Sequence, residues 1–358
     1  MKIRFTILFL VFALVAGVSF GQNTNLGLEA AYERGFLLPH RASMAHLPDG
    51  SVQAFQVRGF IQTDGSKPWH NLYNNPEFGV VVKGFDLGNH ELLGYGLGIG
   101  MYFSAPVVAT DRFRWNLEMA AGPGITSKAF NETDNYQNIA IGSHGNAFIM
   151  LGQRFSYQLT PKLDVTASLS FNHFSNAAFA LPNLGLNYPD ASIGLRFIPS
   201  GLTTVDSSFT HDKVKGKWSI TMGFGVKEAS RPFRQKSLTS ALMFERLFGL
   251  SKKSGITAGT DVFFNGALYA TEEADGNAIP LWKGIQNGVR VGYLLKVDRL
   301  ETFIHMGIYT LDHYRVDGLL YHRAGLRYML SDHFGMNLSL KTHFFKADFF
   351  EYGLVYSF

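Results

Sequence analysis

The chain has 358 residues, of which only 17% are charged, with 32 Phe, 15 Tyr, 38 Gly and no Cys. The absence of Cys excludes disulfides, thiolate metal sites and a cysteine nucleophile. Without Lys2 and Arg4 of the N-terminal segment, thirty Lys and Arg face 28 Asp and Glu, so the remainder is close to neutral and nucleic acid is not implied as a partner.

At the N-terminus, Lys2 and Arg4 precede an apolar run from Phe5 to Phe20 that ends in Ser19-Phe20-Gly21 before Gln22. Charge, apolar core and small residues in that order read as a secretory signal peptide over residues 1–21. A spanning helix needs about 20 apolar residues. This run is shorter and is interrupted by Thr6, Gly17 and Ser19. No Cys follows it, which excludes a lipoprotein anchor. No later stretch suits a spanning helix either, so a membrane protein with this sequence must cross as a closed barrel.

Beyond the leader, period-two alternation predicts strands at approximately 26–37, 52–62, 77–86, 92–105, 112–121, 145–158, 162–174, 189–198, 216–228, 237–248, 254–267, 284–297, 300–311, 319–330, 334–343 and 349–358. In the seventh, Leu163, Val165, Ala167, Leu169 and Phe171 alternate with Asp164, Thr166, Ser168, Ser170 and Asn172. Short connections such as Thr160-Pro161-Lys162, Val297-Asp298-Arg299 and Ser331-Asp332-His333 follow even strands. Long ones, at 38–51, 122–144, 175–188 and 268–283, follow odd strands. Outer-membrane barrels have short periplasmic turns and long outer loops, so odd strands are expected to run outward. Residues 63–76 and 199–215 are then two periplasmic connections of unusual length. The expected fold is all-β: one outer-membrane barrel domain over 22–358 with about sixteen antiparallel strands, fourteen being the alternative count.

The last residues, Tyr352-Gly-Leu354-Val-Tyr356-Ser-Phe358, resemble the terminal strand of bacterial outer-membrane barrels, which implies recognition by their assembly machinery. Arg154, Arg196, Arg290 and Lys296 lie on polar faces and are expected to line the lumen. Gly94, Gly96, Gly98 and Gly100 fall at every second residue, which suggests a face kept clear for packing rather than a phosphate loop. His144, His305, His313, His322, His333 and His343 show no metal-site spacing.

The chemistry-bearing stretch is Ser170-Phe-Asn-His173-Phe-Ser175-Asn176-Ala177. His173 and Ser175 are two residues apart, so in a strand they share a face, where an imidazole can take a serine proton. That face continues Leu169 and Phe171, the apolar one, which in a barrel looks at lipid. Strand parity puts this end of the strand beside the outer leaflet.

His173-Phe-Ser175-Asn176-Ala177, with Asn183 after it, resembles the signature of the lipid A 3-O-deacylase family, also described as outer-membrane acyloxyacyl hydrolase-like proteins. The likeness extends from Ile141 to Phe197 and does not cover strands 9 to 16. It implies an outer-membrane enzyme that hydrolyses an ester-linked acyl chain of lipid A with a serine, a histidine and an acidic residue, in barrels of about eight strands. Carried over, Ser175 is the nucleophile and His173 the general base, while Asn176 and Asn183 shape the site and its oxyanion donors. The family's glutamate falls where this sequence has Asn187. A neutral amide in the third position costs about 10⁴ in rate in a serine protease, yet Cys-His-Asn sites show that an amide can orient an imidazole. Asp190 is the nearest carboxylate. If the eighth strand keeps one register through Pro189, Asn187 shares the lipid-facing parity and Asp190 does not, so Asn187 is the expected orienter. The chemistry requires no cofactor. Two other readings are a pore or transporter that retains the motif as a structural turn, and a surface barrel whose loops bind partners.

Overall fold

The computed structural model describes residues 25–199, 210, 212–229, 235–274, 276, 280–315, 317–344 and 346–358. The signal peptide expected over 1–21 lies outside them. Among the described residues no helix is long and apolar enough to cross a membrane.

Sixteen antiparallel strands form. The first eight are β1 Leu26–Phe36, β2 Ser51–Gln62, β3 Glu77–Asp86, β4 Tyr95–Ala109, β5 Phe113–Thr126, β6 Gly145–Thr160, β7 Leu163–Ser175 and β8 Leu186–Phe197. The second eight are β9 Lys217–Glu228, β10 Lys236–Gly249, β11 Ser254–Asn265, β12 Ile285–Val297, β13 Leu300–Leu311, β14 Leu320–Met329, β15 Phe334–His343 and β16 Lys346–Ser357. The expectation of a single barrel over 22–358 is corrected by the pairing. β8 turns back to pair with β1, from Leu28 opposite Phe197 to Gly35 opposite Asp190. β9 pairs with β16, from Phe224 opposite Tyr352 to Ser219 opposite Ser357. Two closed barrels of eight strands result, and the unusually long connection after β8 is the link between them.

The alternation does what it predicts. On β7, Leu169 and Phe171 are 52% and 38% exposed on the outer wall, while Ser170 and Asn172, facing inward, are buried at 8% and 0%. On β12, Val289, Val291 and Tyr293 face outward in the same way.

Eight strands leave an interior that side chains can fill, and here ion pairs fill it. In the first barrel Arg154 reaches Glu29 and Glu77 at 2.6 Å and Glu118 at 3.0 Å. Arg58 meets Glu118 at 2.8 Å, and Arg196 bridges Glu77 and Asp164. In the second, Arg290 holds Glu245 and Asp261 at 2.8 and 2.9 Å, and Arg323 holds Asp261 and Glu351 at 2.9 and 2.7 Å. Charges this buried persist because each is paired. Arg154, Arg196 and Arg290 thus line the lumens as expected. Lys296 does not: it is exposed at the rim of the short turns.

At the long-loop end of the first barrel the ion pairs give way to an aromatic cluster of Phe85, Phe148, Phe174 and Tyr188, covered by Leu37, Met44, Leu47, Leu87, Leu93 and Ile141 from the loops. The glycine face of β4 serves this packing, since a side chain at Gly98 would lie 2.6 Å from the Phe148 ring.

The barrels touch at both rims. At the turn end, the Tyr73 hydroxyl donates to the Lys296 carbonyl at 2.6 Å and Lys253 Nζ lies 4.9 Å from the Tyr73 ring centre. At the loop end, the Glu228 amide donates to the Ala178 carbonyl at 2.9 Å. The Leu181 amide donates to the Glu228 carboxylate at 2.5 Å, and Lys236 Nζ sits 3.6 Å over the Phe179 ring.

Candidate active site on the outer wall

The β7–β8 hairpin places His173 directly opposite Asn187. Cross-strand partners on one face lie close enough for side chains to meet, and His173 Nδ1 is 2.6 Å from Asn187 Oδ1. An amide oxygen only accepts, so Nδ1 carries the proton and Nε2 keeps its lone pair. That is the tautomer a general base needs.

Ser175 ends β7 on the same outer face and is only 7% exposed, because the connection 176–185 folds over it. Asn183 Nδ2 donates to Ser175 Oγ at 2.9 Å and the Ala177 amide donates to it at 3.3 Å. A hydroxyl has two lone pairs and one proton. Both lone pairs are occupied, and the proton is left to give. Among the described residues Ser175 and His173 are near neighbours on one face without a mutual hydrogen bond, a looseness common in unliganded sites.

Asn176 builds the connection rather than reaching the nucleophile. Its amide nitrogen donates to Ser143 Oγ at 2.9 Å and the Ala180 carbonyl at 3.0 Å, and its backbone N–H donates to Asn183 Oδ1 at 3.1 Å. The last bond turns the Asn183 amide so that its nitrogen faces Ser175. Ala177 and Ala178 hold left-handed backbone at φ 50° and 57°. For alanine this costs roughly 1–2 kcal/mol per residue. The bonds of Ala177 to Ser175 and of Ala178 to Glu228 hold them there. Gly185, at φ +82°, lies against the catalytic histidine candidate, since a Cβ there would come within 2.7 Å of His173 Cε1.

Asp190 is not available as a substitute acid. It points into the lumen, where Asp190 Oδ2 accepts from Lys83 Nζ at 3.0 Å and from Asn172 Nδ2 at 2.8 Å, and Ser170 also donates to it. The strand register runs unbroken through Pro189, which pairs with Phe171.

Sequence reasoning missed His40. It stands in the connection between β1 and β2, and its Nδ1 is 2.9 Å from Asn187 Nδ2 across 147 residues of chain. The Leu38 amide donates to the Asn187 carbonyl at 2.9 Å and ties the two segments together. No local pattern marks His40, because only the closure of β1 on β8 brings it near.

The seventh strand of the second barrel offers no counterpart. β15 ends in Lys341-Thr-His343, and His343 faces the lumen with Nε2 2.9 Å from the Tyr309 hydroxyl. His343 also gathers with Asp317 and Asp348 in the one ligand-like group among the described residues. Lys341 holds Asp348 at 3.0 Å and Lys346 holds Asp317 at 3.0 Å. Both carboxylates already have cationic partners, so the group does not suit a metal ion.

Residues 54–196 match the family described as lipid A 3-O-deacylase (PagL). The first barrel belongs to that family. Residues 216–358 match the acyloxyacyl hydrolase C-terminal domain, so the likeness expected to stop before strand 9 continues into the second barrel. No curated protein matches the chain. Among solved structures, one substituted form of Rhodopseudomonas blastica porin aligns over 93% of this chain and 100% of its own at 11% identity and a TM-score of 0.22. Another aligns over 94% and 100% at 10% identity and a TM-score of 0.21. Likenesses that low carry no argument. In the lipid A 3-O-deacylase barrel, then, His173, Ser175 and Asn187 stand together on the outer wall, at the end that carries the long connections.

Proposed function

We propose that the chain is an outer-membrane serine esterase that removes an ester-linked acyl chain from lipid A of lipopolysaccharide. The observation that carries this reading is the His173–Asn187 pair beside Ser175 on the apolar outer wall of a deacylase-family barrel. A lipid substrate reaches such a site from the membrane itself, without entering either lumen. With odd strands running outward, the site meets the outer leaflet at the level of the acyl-ester linkages.

Ser175 Oγ attacks the ester carbonyl, and His173 Nε2 takes its proton and returns it to the leaving sugar hydroxyl. Asn187 holds the imidazole and disperses the charge of the imidazolium. Asn183 Nδ2 and the Ala177 amide hold Ser175 Oγ in the resting site. On attack at least one of them releases a lone pair of Oγ and turns to the oxyanion of the tetrahedral intermediate. Water, activated by His173, then releases the fatty acid from the acyl-enzyme. Tyr352, Leu354, Tyr356 and Phe358 on the outer face of the last strand support delivery by the outer-membrane assembly machinery. The pore reading finds no support in lumens filled by paired Arg and Glu.

The test compares lipid A, by mass spectrometry, from cells that make the native chain or Ser175→Ala. Loss of one acyl chain with the native protein only is the expected result. Identical acylation patterns, with both proteins assembled, would sink the reading.

A further inference from the structure

An aspartate or glutamate beside a catalytic histidine has two equivalent oxygens, and either one accepts from Nδ1–H. An asparagine does not have that symmetry. With its oxygen toward His173, Asn187 selects the tautomer in which Nε2 is the base. With its nitrogen toward His173, it would donate to Nδ1, drive the proton onto Nε2 and leave no base facing the serine. Something must set the direction of the amide.

The other end of Asn187 meets His40 Nδ1 at 2.9 Å. Of the two ring nitrogens of His40, one accepts and one donates in the neutral state. Partial desolvation, with the neighbouring Arg41, outweighs a hydrogen bond to the Leu184 backbone, and the net effect lowers its pKa below the ordinary histidine value. That direction favours the neutral ring. An amide nitrogen only donates, so with Nδ1 facing Asn187 Nδ2 the neutral ring accepts at Nδ1 and carries its proton on Nε2. That acceptor takes the Asn187 Nδ2–H, turns Oδ1 toward His173 and puts the proton on His173 Nδ1.

We propose that His40 is a positioning residue that sets the direction of the Asn187 amide and, through it, the tautomer of His173. The inference rests on reading His173 as the base. It explains how an asparagine serves where the family has a glutamate: the direction that a carboxylate does not need is supplied by the β1–β2 connection.

The experiment is a double-mutant cycle on the full-length protein, folded in detergent micelles with lipid A as substrate. His40→Ala in the native background is expected to lower kcat about tenfold with little change in KM, as when about a tenth of the molecules keep the competent arrangement. His40→Gln, whose Oε1 also accepts, is expected to restore part of the loss. In the Asn187→Glu background, where no amide needs direction, His40→Ala is expected to change kcat less than about threefold. An equal loss in both backgrounds, or none in the native one, overturns the proposal. Each variant is also scored by its rate of labelling at Ser175 with a fluorophosphonate, against Ser175→Ala as blank. That rate reads activation of the serine even if the native chain leaves lipid A intact, so failure of the substrate assignment and failure of the His40 proposal give different results.

Discussion

The Leu181 main-chain amide, in the connection that covers Ser175, donates to the carboxylate of Glu228 in the second barrel. Glu228 also donates its own amide to the Ala178 carbonyl, so one residue grips both halves of the segment that carries Asn183. Hydrogen bonds to charged groups are worth about 1.5–3 kcal/mol. Glu228→Ala is therefore expected to lower deacylation about tenfold or more while both barrels stay folded, as read by heat-modifiable migration on gels. Unchanged kcat and KM would show that the second barrel does not brace the site.

Gly185 gives a sharper perturbation. Its left-handed backbone and the His173 ring against it leave no room for a methyl group. Gly185→Ala is expected to displace the imidazole and to reduce Ser175 labelling by at least about tenfold, with strain of roughly 1–2 kcal/mol. Native labelling kinetics in this variant would place the working position of His173 elsewhere.

Asn187 and Asp190 stand three residues apart in β8 and face opposite ways, which separates their roles. Asn187→Asp or Asn187→Glu is expected to raise kcat, since an ionised partner stabilises an imidazolium better than an amide does. Asp190→Ala is expected to act on stability instead. It takes one carboxylate from Lys83, which also pairs with Glu33, and breaking a buried pair costs about 3–5 kcal/mol. Urea unfolding in micelles measures the second effect. A selective loss of activity at full stability in Asp190→Ala would reverse the assignment.

Conductance tests the filled interiors. With Arg154 tied to Glu29, Glu77 and Glu118, and Arg323 tied to Asp261 and Glu351, the native protein in planar bilayers is expected to show no steady channel. Stable openings of porin size would return the pore reading to first place.

Strand positions were legible because alternation is a local signal. The predicted 77–86, 300–311 and 334–343 coincide with β3, β13 and β15, and β7 differs by one residue at each end. The pairing of His173 and Ser175 with one face followed from the same period of two, and the exclusion of Asp190 from that face followed from strand parity. What could not be read was where the sheet closes. A strand that alternates serves a barrel of eight or of sixteen equally well, since the pairing of β8 with β1 leaves no mark in either segment taken alone. The long connection after β8 was visible, but length by itself does not say that it joins two barrels.

The sequence by itself determined the strands, their inward and outward faces and the candidate residues for the proposed chemistry, because these depend on backbone period and side-chain type. Only the tertiary structure decided that the chain closes twice, that Arg and Glu from distant strands fill each lumen, and that His40 and Glu228 meet the β7–β8 segment from either side. Those contacts join residues far apart in the chain. They arise from barrel closure and from the packing of two barrels, which act over distances that no sequence window spans.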